Sequence, residues 1–332
     1  MQRFIILVTA LMITPLHVQA QKKPSPLDSK HLVFSSFRGN GKDGLHLAYS
    51  QDGLNWRALN NDQAFVQPQV GKDKLMRDPS IVLGPDSLYH MVWTVSWHEK
   101  GIGYANSKDL IRWSEQKYIP VMEHEQNARN CWAPELFYDD TKGEYLIFWA
   151  TTIPGRFPET DGQDARANDP GWNHRVYSIT TPDFENFSET KLFYNHGFNV
   201  IDAFIFKDAS RDENPFVMLL KDETNKPFVP QKNIRLAFSS RAEGPYSKPT
   251  EPITGDYWAE GPTAIKIGEQ WFVYFDKYIE KQYGVLVSRD LHDWIDLSDQ
   301  LTMPKGMRHG TIFEVSAETA RGLLALETGA PE

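Results

Sequence analysis

Three stretches far apart in the chain share one spelling. Ser50-Gln51-Asp52-Gly53-Leu54-Asn55-Trp56, Ser107-Lys108-Asp109-Leu110-Ile111-Arg112-Trp113 and Ser288-Arg289-Asp290-Leu291-His292-Asp293-Trp294 all read Ser-x-Asp-x-x-x-Trp. Each follows a short strand-like run: Leu45–Tyr49, Ile102–Ala105 and Gly284–Val287. Two looser copies, Thr181–Phe187 and Ser239–Tyr246, follow Arg175–Ile179 and Ile234–Phe238. The five starts, at 50, 107, 181, 239 and 288, are 57, 74, 58 and 49 residues apart, long enough for a four-stranded sheet with its turns. Ser and Asp hydrogen-bond to nearby backbone and reverse the chain, and the aromatic packs onto the next strand. A strand-turn-strand unit repeated in this way predicts a propeller blade, and five copies predict an all-β, five-bladed propeller.

A second repeat runs out of phase with the first. Pro79–Val82 leads to Leu88–Trp93, Pro134–Tyr138 to Glu144–Trp149, Ala203–Phe206 to Phe216–Leu220, and Thr263–Ile267 to Trp271–Phe275. These pairs predict hairpins, the first two strands of successive blades. His31–Phe37 supplies the comparable strand of the first blade, and Thr311–Val315 would complete that blade and close the ring. No long helical periodicity is visible. The insertion between Pro154 and Asn173, rich in Pro, Gly, Asp and Asn, predicts a long loop over one face, either shaping a site or merely tolerated.

Residues 1–20 are set aside as an export signal: Arg3 gives a positive start, Phe4–Leu16 is apolar but too short to span a bilayer, and Val18-Gln19-Ala20 offers a small-x-small cleavage site. Residues 21–30 then form a linker and 31–332 the propeller domain, an exported protein, periplasmic or extracellular, without a membrane anchor and expected to be a monomer. The single cysteine, Cys131, has no partner in the chain and is expected to be buried. A net charge of −9 argues against nucleic acid or an anionic membrane as partner. The ten tryptophans point instead to sugars, whose rings stack on flat apolar faces, although core filling is an equal use for most of them.

In a propeller the innermost strands begin near the central axis. Asp78, Asp202 and Glu260 stand at the entries of three of them, with Glu135 a little further into a fourth. Like charges gathered there separate in pKa. Such a cluster serves acid–base catalysis, metal binding or structure, and the spacing by itself leaves all three open. Glycoside hydrolysis needs one protonated and one ionised carboxyl group.

The ordered set Arg77-Asp78-Pro79-Ser80, Asn130–Tyr138, Asn199–Phe206, Trp258–Ile265 and Arg308-His309-Gly310-Thr311 resembles glycoside hydrolase family 43, five-bladed propellers of the arabinofuranosidase, xylosidase and arabinanase group. The resemblance runs from about residue 30 to 316. It implies inversion by three acids: Asp78 as general base, Glu260 as general acid, and Asp202 orienting the acid and tuning its pKa. Asp202 is followed by Ala-Phe where many members have Pro, which makes it the least regular of the three. The family often holds a water-shelled calcium ion near the axis, and His309 matches the histidine that contacts it; a core histidine without metal is the alternative. Arg77 and Arg308 are candidates for binding sugar hydroxyls, with structural ion pairs as the alternative. Trp97 and Trp132 are candidates for a sugar platform, with core packing as the alternative. Glu135 resembles a position that supports the site from behind.

The expected activity is exo-hydrolysis of a terminal α-L-arabinofuranosyl residue from an oligo- or polysaccharide. Xylosidase, galactofuranosidase and endo-arabinanase action are alternatives on the same site. A propeller that only binds carbohydrate, or a phosphorylase on the same scaffold, is a reading from another class. Fructose-transferring propellers place a nucleophile in an early Asn-Asp-Pro-Asn type of motif, and no such motif precedes Asp78.

Overall fold

Alternation of apolar side chains on the second strand of each blade determines how the molecule is assembled. The computed structural model describes residues 30–163, 171–225 and 232–328. The export signal and nearly all of the linker lie outside them. In chain order the strands begin with β1 (Leu32–Ser36), β2 (His46–Ser50) and β3 (Arg57–Ala58), then β4 (Arg77–Leu83), β5 (Tyr89–Thr94), β6 (Ile102–Ser107) and β7 (Lys117–Ile119). Next come β8 (Trp132–Asp139), β9 (Glu144–Thr152), β10 (His174–Thr181) and β11 (Lys191–Tyr194), followed by β12 (Val200–Lys207), β13 (Phe216–Asp222) and β14 (Asn233–Ser239). The last strands are β15 (Glu260–Ile267), β16 (Gln270–Lys277), β17 (Gln282–Ser288), β18 (Ile295–Asp296) and β19 (Ile312–Glu314).

They form five antiparallel sheets, in the orders β19-β1-β2-β3, β4-β5-β6-β7, β8-β9-β10-β11, β12-β13-β14 and β15-β16-β17-β18. The innermost strands β4, β8, β12, β15 and β19 touch in that order, and β19 touches β4, so the ring closes with the C-terminal strand seated inside the N-terminal blade. The predicted five-bladed propeller, its hairpins and its closure are all present.

Because successive side chains on a strand point to opposite faces, each middle strand feeds two cores. Met91 and Trp93 pack toward β1 and β2, while Val92 packs toward Ile147 and Trp149 of the next blade. Leu146 and Phe148 meet Met218 and Leu220; Val217 and Leu219 meet Val273 and Phe275. Phe272 and Tyr274 return to Leu32 and Phe34. A core therefore fills each interface between blades, which is why these strands read as continuous apolar runs. Cys131 is buried in the second of these cores, as expected.

The Ser-x-Asp turns carry the predicted bonds. Ser50 Oγ accepts the Gly53 N–H at 3.0 Å, Asp52 Oδ1 accepts those of Leu54 and Asn55 at 2.8 Å each, and Trp56 Nε1 donates to the Gly53 carbonyl at 3.0 Å. The copies at Ser107, Thr181 and Ser288 repeat the hydroxyl and carboxylate bonds.

Two features differ from the sequence reading. Among the described residues the β12–β14 blade has no fourth strand. Its last segment runs beside β14 with spaced bonds from Ser247, Thr250 and Ile253, but Pro245, Pro249 and Pro252 withhold the donors a continuous ladder needs. The chain end, expected to be propeller without helix, forms α1 (Ala317–Thr328). Ser316 Oγ caps it by accepting the Thr319 N–H at 3.1 Å, and Ala320 and Leu323 enter the first core. With Ala320 and Leu323 its only buried positions among the described residues, the helix is too short to show a sustained period.

Candidate active site

The five inner strands enter the axis by one backbone device. On β4, Arg77 pairs with Thr94 and Ser80 with Val92, which leaves one extra residue on the inner strand. The same bulge lies between Trp132 and Glu135, between Ile201 and Phe204, and between Glu260 and Thr263. Just past the first paired residue the backbone turns left-handed, at Asp78 (φ 52°), Ala133 (φ 45°), Asp202 (φ 50°) and Gly261 (φ 57°). In the last blade Arg308 bridges Phe37 and Ile312 pairs with Phe34, again one residue in excess, so His309 falls at the equivalent place. A bulge re-aims a side chain, and this ring of bulges aims Asp78, Asp202 and His309 at one another. Glu260 occupies the place before, equivalent to Arg77, Trp132 and Arg308.

All eight residues singled out from the sequence, Asp78, Asp202, Glu260, Arg77, Trp97, Trp132, Arg308 and His309, line a single cavity of about 490 Å³ on the axis. Asp78 Oδ2 accepts from Thr94 Oγ1 at 2.8 Å, and its Oδ1 lies 3.4 Å from His309 Nδ1. Burial works against the ionised form of Asp78, but the His309 hydrogen bond and charge, with Arg77 and Thr94, outweigh it and hold the carboxyl at about 2. Burial likewise opposes charge on His309, yet Asp78, Asp202 and Glu135 around it raise the imidazole to about 9. Asp202 goes the other way: burial, reinforced by Glu260 and Asp78 and opposed by His309 and Lys221, lifts it to about 6. Its Oδ2 accepts the Gly261 N–H at 3.0 Å, which ties it to the peptide following Glu260. Gly261 is obligatory, since a Cβ there would lie 2.4 Å from His309 Cγ in addition to its left-handed φ.

Glu260 is held by cations. Lys221 Nζ lies 3.0 Å from Oε2 and Arg308 Nη2 lies 2.8 Å from Oε1. Arg308 also donates from Nε to Asp276 Oδ2 at 2.5 Å. Lys221 pairs with Glu223 at 2.7 Å, and Glu223 in turn pairs with the buried Lys232. Arg308 therefore bridges two carboxylates while lining the cavity. Arg77 has no ion pair among the described residues: its guanidinium lies 4.3 Å over the Trp97 ring, and both side chains donate to Asn40 Oδ1 at 3.1 Å. Neither Trp97 nor Trp132 joins a hydrophobic core; Trp97 is 39% exposed. Trp132 donates from Nε1 to the Trp97 carbonyl at 3.0 Å and lies 4.4 Å from the Trp172 ring. Glu135 sits behind the cavity, 2% exposed, accepting from Ser80 at 2.5 Å and from Thr311 at 3.2 Å.

The calcium ion that the resemblance implies is held through its water shell, so it needs few direct side-chain ligands. Among the described residues no three His, Cys, Asp or Glu side chains converge as ligands. The His309 nitrogen turned to the carboxylates lies 3.4 Å from Asp78 Oδ1.

Several lining residues escaped the sequence reading: Lys221, Glu223, Trp172, His174, Tyr278 and Asn40. Trp172 ends the long insertion, under the Arg129 guanidinium at 4.1 Å, so that insertion does shape the site; its residues 164–170 lie outside those described. A lysine closing the apolar run Phe216–Leu220, at the place that pairs with an inner-strand entry, was the available signal for Lys221.

An axial cavity in a closed propeller, where carboxyl groups sit in different electrostatic surroundings and are flanked by aromatic side chains outside the cores, is the kind of site that hydrolyses glycosidic bonds. The chain belongs to a glycoside hydrolase family related to family 43: the family described as a probable glycosyl hydrolase domain matches residues 29–320. No curated protein matches it in sequence. Among solved structures it is similar to an α-L-arabinofuranosidase from Lactobacillus brevis, at 19% identity and a TM-score of 0.50, over 67% of this chain and 72% of that one. It is also similar to an exo-β-1,3-galactanase from Phanerochaete chrysosporium, at 12% identity and a TM-score of 0.51, over 81% of this chain and 54% of that one. At these identities the likeness is one of fold.

Proposed function

We propose that the protein is an exported, monomeric, inverting exo-glycosidase that removes a terminal furanosyl residue, α-L-arabinofuranosyl first among the candidates, from plant oligo- or polysaccharide side chains. The observation that carries this reading is the convergence of Asp78, Asp202 and Glu260, from three blades, on one axial cavity lined by Trp97, Trp132 and Trp172; burial raising Asp202 while His309 holds Asp78 down is in keeping with it. Asp78, ionised across the working range, takes the proton from the attacking water as general base. Glu260, from another blade, protonates the leaving oxygen. Asp202, bonded to the peptide after Glu260, positions that acid and supplies a neighbouring carboxyl that binds a proton near neutrality.

In the free protein both Glu260 oxygens accept from cations. The acid role therefore requires one of these bonds to yield when the leaving oxygen arrives, in keeping with the looser catalytic geometry of unliganded sites. The cavity, walled by Trp132 and Trp172 and of a size for one or two sugar rings, suits exo action. No step is assigned to a metal.

The test is hydrolysis of a panel of aryl furanosides and pyranosides, with NMR of the first-formed anomer. β-D-Xylosides, galactofuranosides and linear arabinan cover the other family activities, and the galactanase neighbour adds β-1,3-galactobiose. The expected result is turnover of the α-L-arabinofuranoside, independent of added phosphate, with inverted product. Retained configuration would overturn the three-acid mechanism; no turnover across the panel would favour a propeller that only binds sugar.

A further inference from the structure

Among the described residues four cationic side chains line the axial cavity, and three of them already face a carboxylate. His309 Nδ1 lies 3.4 Å from Asp78, Lys221 Nζ 3.0 Å from Glu260 and Arg308 Nη2 2.8 Å from Glu260. Arg77 is the fourth, and it has no such partner among the described residues. Asp78, its neighbour in the chain, accepts from Thr94 and is paired with His309 instead.

Arg77 is nevertheless held in place. Its guanidinium carbon lies 4.6 Å from the centroid of the Phe37 ring and 4.3 Å from that of Trp97, contacts that use none of its five N–H donors. Its Nη1 donates to Asn40 Oδ1 at 3.1 Å, and Trp97 Nε1 donates to the same oxygen at 3.1 Å, so one amide oxygen fixes cation and ring together. The loop that carries Asn40 is tied to the entry of β4, where the Met76 N–H donates to the Gly41 carbonyl at 2.7 Å. Gly41, at φ 78°, permits that approach: a Cβ there would lie 2.8 Å from Arg77 Cγ and 2.8 Å from the Met76 carbonyl oxygen. The remaining donors are within reach of a ligand. Trp97 is 39% exposed and Asn40 is exposed, and both line the cavity beside Arg77, whereas Asp202 and His309 are buried. Arg77 therefore stands at the open side of the cavity, ordered before a ligand arrives.

A planar guanidinium fork matches the two oxygens of one carboxylate, in charge-assisted bonds about twice as strong as neutral ones. Sugar hydroxyls use neither its charge nor its plane. Among sugars that pair of oxygens is the carboxylate of a uronic acid. We propose that Arg77, braced by Trp97 and Asn40, binds the carboxylate of a uronosyl residue at the open side of the cavity, beside the terminal residue to be released, so that the polymer served is an acidic one. The inference rests on the glycosidase reading and deepens it by naming the class of substrate. The chain's net charge of −9 does not oppose it, because salt screens acids further away than about 10 Å while the guanidinium is in contact.

The experiment measures binding to the full chain by NMR titration at neutral pH, with D-galacturonate, D-glucuronate, their methyl esters and L-arabinose as probes, in wild type, Arg77→Gln, Arg77→Lys and Asn40→Ala. The ester keeps every ring hydroxyl and removes only the charge. Wild type is expected to bind at least one uronate about tenfold more tightly than its ester, the scale of hydrogen bonds to a charged group, and that ratio is expected to shrink as salt is raised from about 0.05 to about 0.5 M. Arg77→Gln is expected to bind acid and ester alike, and Arg77→Lys, which keeps the charge without the fork, to recover part of the ratio. Asn40→Ala releases the fork from an exposed loop position and leaves β4 untouched; it is expected to lose part of the ratio, so the assignment is tested even where Arg77→Gln does not fold. A wild-type ratio near one with sugar bound overturns this assignment alone, as does a ratio kept in full by Arg77→Gln or by Asn40→Ala. No binding of any of these sugars by wild type overturns it together with the carbohydrate reading.

Discussion

Asp78 at the entry of β4 and Ala133 at the entry of β8 share a left-handed backbone and a bulge of one residue, and they meet at a single atom. Thr94 Oγ1 donates to Asp78 Oδ2 and accepts the Ala133 N–H, both at 2.8 Å. Both adopt a backbone that costs a non-glycine residue about 1–2 kcal/mol, but only one of the two carries a group able to move a proton. The left-handed turn is therefore a property of the propeller's inner strands and not a mark of catalysis. Chemistry enters through the choice of residue at a position that the scaffold strains in any case. Asp and Asn bear that conformation better than most, so a carboxylate there is also among the less strained options.

Asp78→Asn breaks the comparison most sharply. It keeps the shape, the Thr94 bond and the tolerance for left-handed backbone while removing the base. Activity on the substrate identified by the glycoside panel is expected to fall by about 10²- to 10⁴-fold, with the fold retained by circular dichroism. Asp202→Asn, at the equivalent place in β12, is expected to lose less, because it acts through Glu260. If Asp78→Asn keeps near wild-type turnover, Asp78 is as much a scaffold residue as Ala133.

A smaller effect separates the β4 and β8 entries by pH. Two residues beyond Ala133, Glu135 is raised by burial from 4.5 to about 7, with His309, Ser80 and Thr311 opposing and Asp78 adding to the rise. A carboxyl whose pKa is higher in the fold than in the unfolded chain binds its proton preferentially in the fold. Its contribution is complete below pH 4.5 and disappears as the pH rises through 7. Tm is therefore expected to fall across that window, and Glu135→Gln to flatten the fall. His309, raised from 6.5 to about 9, contributes in the same sense and is lost between those values, so the decline above pH 7 persists in the variant. Thermal melts at unit steps from pH 4 to 9 check both; an unchanged slope below pH 7 would mean that Glu135 titrates as an exposed carboxyl does.

What was legible in the sequence follows from where each signal is local. Ser50, Asp52 and Trp56 act within seven residues, so the turn and its repeats could be read directly, and the apolar runs of β5, β9, β13 and β16 announced strands buried on both faces. The entries of Asp78, Asp202 and Glu260 could be placed because the blade repeat gives their phase. Lys221 and Trp172 could not. Lys221 reaches Glu260 from a different blade, and Trp172 arrives at the end of an insertion with no periodicity. The β12–β14 blade was over-read for a related reason: the strand count came from the repeat, while the prolines that prevent a ladder are a property of that copy only.

The smallest predicted effect tests the scaffold half of the comparison. If the left-handed turn at φ 45° is strain that Ala133 endures without chemical purpose, then glycine, which occupies that region freely, relieves it. Against this stands glycine's greater freedom in the unfolded chain, about 0.5–1 kcal/mol relative to alanine. The relief, about 1–2 kcal/mol, exceeds that loss, and the N–H bond to Thr94 is kept, so Ala133→Gly is expected to be stabilising by up to about 1 kcal/mol, with Tm rising by one to a few degrees, about the shift such a change produces in a chain of this size. Differential scanning calorimetry decides it. A lower Tm would mean that the Ala133 methyl, which is 4% exposed, contributes more by packing than the turn costs. In that case β8 would be an entry fitted to its side chain just as β4 is.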